Sequence, residues 1–302
     1  MSTDLHQHLW PEPFIAALRA RSSAPRLDGW QLHLPGERSH AIDPADHDPV
    51  RRSELAAADG DELVCLTPAA SLGLDRLAPA EAATLAAAWL DGALALGTPF
   101  RAWAMAGVQE PDPAALRDAL QRGAIGLEIA ADVLAAPAAF DRLAPLLDLL
   151  ESESAPLFVH PGPAGEQDDR DRPGWWAPVV PYVAQLHAAW WAWADGGRAR
   201  FPRLPVCFAA LGGLGPLHGE RQRARGGESE AVDSLTFVET SSYGTMAVDS
   251  VVRVLGVDVV CHGTDRPYCR AAPPALGEAA MNAIRTRNPG RLLARHPEEV
   301  LT

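Results

Sequence analysis

The chain has 302 residues, 47% hydrophobic and 22% charged, a globular composition with enough length for a sizeable core. A formal charge of −13 argues against nucleic acid or an anionic membrane surface as a main partner, because both need a basic footprint. There is no long uncharged apolar stretch, no basic-then-apolar leader and no CxxC clip among the four cysteines, so the expectation is a cytoplasmic protein with buried thiols.

The chain opens on Asp4-Leu5-His6-Gln7-His8. Side chains two apart on a strand share a face, so His6 and His8 offer two imidazoles to one side, a pairing suited to a divalent cation. Alone the pair is weak evidence, since His-x-His also arises by chance or from purification tags. With this first run (4–8), short apolar runs recur at 62–68, 100–107, 124–129, 156–161, 204–211, 235–241 and 258–265. Several are near-continuously apolar, as strands covered on both faces are. Helical patterns lie between them at 80–97, 112–122, 138–152, 183–195, 245–255 and 274–287, the second capped by Asp112 with Pro113 in its first turn. Alternation of this kind predicts an α/β fold with a parallel sheet. Eight units over this length predict a distorted TIM (β/α)8 barrel in one domain, 1–302. No Gly-x-Gly-x-x-Gly follows the first strand, which speaks against dinucleotide binding.

Long excursions follow strands 1, 5 and 6, on the face where barrel enzymes keep their sites. The first, 11–61, has turn chemistry at Pro35-Gly36 and Asp43-Pro44 and carries His33, His40 and His47. The second, 162–181, carries Trp175-Trp176, and the third, 218–234, carries Arg221, Arg223 and Arg225. Trp190, Trp191 and Trp193 with Leu186 read as a packed helix face.

Strand ends hold the chemistry. His6 and His8 end strand 1, His160 ends strand 5 and Asp265 ends strand 8. A buried apolar strand has no packing reason to finish in His or Asp. Three imidazoles and one carboxylate on one barrel face make a mixed N/O set with open positions, as a catalytic divalent metal needs.

These motifs resemble the amidohydrolase superfamily, and within it the amidohydrolase-related branch of amino-carboxymuconate-semialdehyde decarboxylase. The resemblance runs almost end to end, through His6-x-His8, Phe158-Val159-His160-Pro161, Arg200-Phe201-Pro202, Leu211-Gly212-Gly213-x-x-Pro216, Phe237-Val238-Glu239-Thr240-Ser241, Gly263-Thr264-Asp265-x-Pro267-Tyr268 and Asn282-Ala283. It implies a distorted TIM barrel in which His6, His8, His160 and Asp265 ligate one divalent metal, usually zinc, and Asp265 takes a proton from the metal-bound water. Glu128 ends strand 4, where some superfamily members place a bridging ligand; with one clear metal set it reads as supporting or structural.

One position departs. Family members usually carry a histidine two residues before the Gly-Gly of strand 6, and here that residue is Ala210. Three readings stay open: a nearby group such as His218, Arg221, Tyr243 or His262 replaces it, the reaction needs only the metal and Asp265, or the protein has lost turnover. The expected function is a metal-dependent hydrolase, with metal-activated water attacking an amide, lactone or related acyl bond of a small carboxylated molecule. Non-oxidative decarboxylation is the alternative, and a metal- or ligand-binding barrel the second alternative. For the substrate, Arg221 sits in a loop like one that relatives use for a carboxylate, sometimes across a homodimer interface; Trp175 and Trp176 would wall the pocket.

Overall fold

The structure is a computed structural model describing residues 1–35, 37, 39–136, 138–165, 172–228, 233–269 and 272–294. All eight apolar runs contain strands: β1 (Thr3–Gln7), β2 (Leu63–Leu66), β3 in two segments (Phe100–Ala102 and Ala104–Met105), β4 (Leu127–Ala130), β5 (Leu157–His160), β6 (Val206–Phe208), β7 (Thr236–Glu239) and β8 (Val260–Cys261). Each pairs in parallel with the next. The ladder is interrupted twice, and backbone hydrogen bonds cross both gaps. In β3, Trp103 N donates to Leu66 O and Ala104 N to Gly126 O, each at 2.9 Å, so the strand changes neighbour at the tryptophan. Between β8 and β1, Leu5 N donates to His262 O at 3.0 Å and Asp265 N to His6 O at 2.8 Å. The strands follow one another around an axis, as the predicted distorted barrel requires.

Helices cover the outside. They form at Pro79–Ala95, Pro113–Gln121, Ala138–Ser152, Pro181–Ala192 and Thr245–Leu255, close to the patterns read from sequence. Asp112 caps its helix through Oδ1, which accepts from Ala114 N at 2.9 Å and Ala115 N at 3.1 Å. The last helix differs from expectation. It begins at Glu278 rather than 274, because Gly277 before it is left-handed (φ 86°), and it continues through a wide turn to Leu293. Leu186, Trp190 and Trp193 are buried, as are Cys65, Cys207 and Cys261, whose thiols burial pushes up.

The first excursion is more ordered than its periodicity predicts. It holds helices Glu12–Arg19 and Pro49–Asp59 and an antiparallel sheet of Arg26–Asp28, Gln31–His33 and His40–Ala41. Gly36, where one predicted turn falls, and residues 166–171 and 229–232 of the other excursions lie outside the described residues. Among the described residues no helix is long and apolar enough to cross a membrane.

β6 stops at Phe208, three residues before its predicted end, for a backbone reason. Ala210, Leu211, Gly212, Gly213 and Leu214 all take positive φ, between 46° and 61°. That conformation costs a non-glycine residue roughly 1–2 kcal/mol. Packing on the Pro181–Ala192 helix holds it, and Gly213 permits the approach: a Cβ there would lie 2.4 Å from Val183 O.

Candidate metal centre

His6 on β1 and His8, the residue just past its end, project to one side, as do Phe158 and His160 on β5. Inside the barrel Phe158 stacks on Trp103 at 5.1 Å and meets His6 edge-on at 5.2 Å, forming an apolar floor. Burying such a ring contributes about 2 kcal/mol, and each aromatic pair adds ~1 kcal/mol. Above the floor one ligand atom from each of His6, His8, His160 and Asp265 lies within 4.8 Å of the others. His6 Nε2 is 3.1 Å from His8 Nε2, and Asp265 Oδ1 is 3.0 Å from His8 Nε2 and 3.6 Å from His6 Nε2. The four residues singled out in the sequence come together.

Each imidazole is oriented from behind. His6 Nδ1 faces Glu239 Oε1 at 3.0 Å, His8 Nδ1 faces Thr67 O at 3.3 Å and His160 Nδ1 faces Pro161 O at 2.8 Å. Carbonyl and carboxylate oxygens only accept, so all three Nδ1 atoms carry hydrogen and the Nε2 lone pairs point inward. Two such lone pairs 3.1 Å apart need a proton or a cation between them. Burial lowers the His6 imidazole, but Glu239, with Asp265 and Asp4, outweighs it and holds His6 up at about 9. Burial and the charge on His6 hold His8 and His160 well down. The inward donor set fits a divalent cation, with oxygens behind each histidine as metal sites use.

Asp265 arrives in a strained conformation, φ 59°, fixed by its N–H bond to His6 O. Burial raises its carboxyl above the usual range. Asp4 locks the same turn. Its Oδ1 accepts from His6 N at 3.0 Å and Thr264 N at 3.1 Å, and its Oδ2 from Gln7 Nε2 at 2.7 Å and Thr264 Oγ1 at 2.6 Å.

Two supporting carboxylates, Asp4 and Glu239, were not singled out from sequence. Asp4 heads the His-x-His run and Glu239 ends an apolar strand, the same anomaly that marked His160. Glu239 is fully buried and accepts from four donors: His6 Nδ1, Ala210 N at 2.7 Å, Ser241 Oγ at 2.6 Å and Ser241 N at 2.6 Å.

The substrate candidates are dispersed. Trp175 is exposed; Trp176 is half-buried with the Arg172 guanidinium 4.2 Å over its ring. Arg221 is exposed on the short helix Gly219–Ala224, and exposed His218 meets His187 edge-on at 4.8 Å. Tyr243 and His262 line a cavity of about 300 Å³, and His262 groups with Asp4 and Asp61. In the first excursion, buried His47 accepts from Trp10 N at 2.9 Å and stacks on Trp10, and burial with nearby Arg52 lowers it to about 3. His33 and His40 bond instead to Ser39 and Glu37. A tyrosine known only as part of a motif lies closer: the Tyr268 ring is 5.1 Å from that of His8.

Glu128 stands behind His160, its Oε1 3.7 Å from His160 Nδ1 and accepting from Ala70 N at 2.6 Å; burial pushes it up to about 7. It shares a cavity of about 20 Å³ with Asp75, neither of whose carboxylate oxygens has a hydrogen-bond partner among the described residues. Burial pushes Asp75 up to about 6. An acid with a raised folded pKa binds its proton more tightly when folded. Stability from this group is therefore greatest below the unfolded value near 4, falls as pH rises towards 6 and stays lost above it. Asp75→Asn is expected to raise Tm by about 2–5 °C at pH 8 and to change little at pH 4. An equal or lower Tm than wild type at pH 8 refutes the expectation.

No family model and no curated protein matches the chain. Solved structures do. A 5-carboxyvanillate decarboxylase from Sphingomonas paucimobilis aligns over 97% of this chain and 98% of its own at 20% identity and TM-score 0.71. A dihydroxybenzoic acid decarboxylase from Polaromonas sp. JS666, solved with bound manganese and the inhibitor 2-nitroresorcinol, aligns over 100% and 99% at 17% identity and TM-score 0.69. A 4-oxalomesaconate hydratase from Rhodopseudomonas palustris aligns over 99% and 98% at 15% identity and TM-score 0.68. At these identities the likeness establishes the fold: the chain has the barrel of these decarboxylases and this hydratase, the architecture implied by its resemblance to the amidohydrolase-related branch.

Proposed function

We propose that the chain is a divalent-metal-dependent lyase that removes carbon dioxide, without oxidation, from a small carboxylated aromatic acid. The observation that carries this reading is the convergence of three inward-facing imidazole nitrogens and Asp265 within 4.8 Å above an apolar floor. Decarboxylases of 5-carboxyvanillate and dihydroxybenzoic acid on the same barrel support it and move the reading away from the hydrolase expected from sequence. The mixed N/O donors suit manganese as well as zinc.

His6, His8, His160 and Asp265 would hold the cation, which when bound supplies Lewis-acid polarisation of a substrate oxygen. Asp265, whose carboxyl burial raises above the usual range, would hand a proton to the ring carbon that bears the carboxylate. The carbon–carbon bond then breaks, its electron pair returns to the ring, and one carbon dioxide leaves for each proton consumed. Phe158, fully buried, packs beneath His6 and supports it, and Glu239 keeps His6 from turning.

Hydrolysis of an acyl bond is the second reading, and Ala210 favours it, because a water needs no proton donor on strand 6. The test is to load the purified protein with Mn²⁺ or Zn²⁺ and measure carbon dioxide released from hydroxybenzoate and vanillate-type carboxylic acids, with His160→Ala as control. Release that depends on His160 supports the lyase. Cleavage of lactones or amides with no carbon dioxide release overturns it in favour of hydrolysis.

A further inference from the structure

We propose a second cation site, separate from the four-residue centre, at the seam where β8 meets β1, formed by Asp61 and His262 with Asp4 beside them. One ligand atom from each of the three residues lies within 4.8 Å of the others. All are buried, with 0% of Asp4, 5% of Asp61 and 4% of His262 exposed. Two of their atoms have no hydrogen-bond partner among the described residues: Asp61 Oδ2 and His262 Nδ1.

The partners already present leave those two atoms over. Asp61 Oδ1 accepts from Arg285 Nη2 at 2.7 Å and from Ser2 Oγ at 3.3 Å. The His262 backbone is fixed on both sides, its N–H to Ile284 O at 2.9 Å and its carbonyl to Leu5 N at 3.0 Å. Asp4 is fully hydrogen-bonded and rigid, so the unpaired oxygen and nitrogen are the primary donors and Asp4 supplies charge beside them. Burial raises the Asp61 carboxyl and Asp4 raises it further; Arg285 and His262 offset part of this repulsion, and a cation at the unpaired Asp61 oxygen would relieve more of it. One imidazole nitrogen with carboxylate oxygens selects a borderline divalent ion such as Mn²⁺ or Zn²⁺. A cavity of about 300 Å³ lined by His262, Thr240, Tyr243, Arg266 and Arg285, though not by Asp4 or Asp61, reaches the site from its His262 side. The site would join β1, the residue pair before β2 and the end of β8, where the last strand is only two residues long.

The test images the ion. Wild-type crystals grown in millimolar Mn²⁺ and measured above the manganese absorption edge are expected to show two anomalous peaks, one at the His6 centre and one between Asp61 and His262. In solution Asp61→Asn, which keeps an oxygen for Arg285, is expected to drop manganese content from two equivalents to one. Its Tm should fall by about 5 °C relative to wild type in Mn²⁺ but not after chelation. His160→Ala is expected to retain the seam ion, which separates this site from the first. A water without anomalous signal between Asp61 and His262, in crystals whose first centre is filled, overturns the proposal. So does unchanged manganese content in Asp61→Asn.

Discussion

Asp265→Asn is expected to lower the rate of carbon dioxide release by about 10³-fold or more, the range for removing a positioned acid whose group also ligates a metal. Asparagine has the same shape, and Asp265 is anchored by its backbone N–H to His6 O at 2.8 Å, so the turn should survive and Tm should move little. What changes is the chemistry. The amide cannot accept and pass on an acid proton, and, being neutral where Asp265 Oδ1 lies 3.0 Å from His8 Nε2, it is a poorer ligand for a cation. Manganese content should fall as well. The informative comparison is at saturating metal, where affinity no longer limits. There the rate should remain low if Asp265 carries the proton, whereas recovery to within tenfold of wild type would make it a ligand only.

The barrel and its four inward groups were legible because they break a simple rule. Strands covered on both faces read as apolar runs, and a His or Asp closing such a run has no packing explanation. The same rule reaches Glu239, yet one carboxylate at the end of β7 without a partner nearby in sequence gives no sign that His6 lies 3.0 Å away. Other features were invisible for physical reasons. Helix Pro49–Asp59 buries Arg52 on its inner face, and Arg52 Nη1 donates to His8 O at 2.7 Å, so no apolar stripe marks it. Helix Glu12–Arg19 did carry a signal, with Phe14, Ile15 and Leu18 on one face, masked by the turn residues that follow. The left-handed run at 210–214 includes Ala210, Leu211 and Leu214, residues that disfavour positive φ, so only packing against a distant helix creates it. That run matters to function, because it fixes what strand 6 presents to the site: the N–H of Ala210, held by Glu239 Oε1 at 2.7 Å.

Glu239 is therefore the residue through which the centre and the strand-6 tip are coupled, and the Glu239→Ala protein is expected to show both losses at once. The truncation leaves His6 Nδ1, Ala210 N and Ser241 N without their acceptor in a fully buried pocket. At roughly 1–3 kcal/mol for each orphaned donor, less what relaxation and water recover, stability should fall by about 3–5 kcal/mol. With its orienting acceptor gone, His6 can turn, and manganese affinity should fall about 10–100-fold. Glu239→Gln should be milder. With its amide nitrogen at the Oε2 position it loses the acceptor for one donor, Ser241 N, while its oxygen can still accept from His6 and Ala210 N. Gly263→Ala reaches the same carboxylate by a different route, since a Cβ at 263 would lie 1.9 Å from Glu239 Oε2 and push it off its partners without removing its charge. If geometry rather than charge is what Glu239 contributes, Gly263→Ala should weaken manganese binding by at least tenfold in a competition titration. A Gly263→Ala protein that binds manganese within twofold of wild type would rule out geometry and leave charge as what Glu239 contributes to the centre.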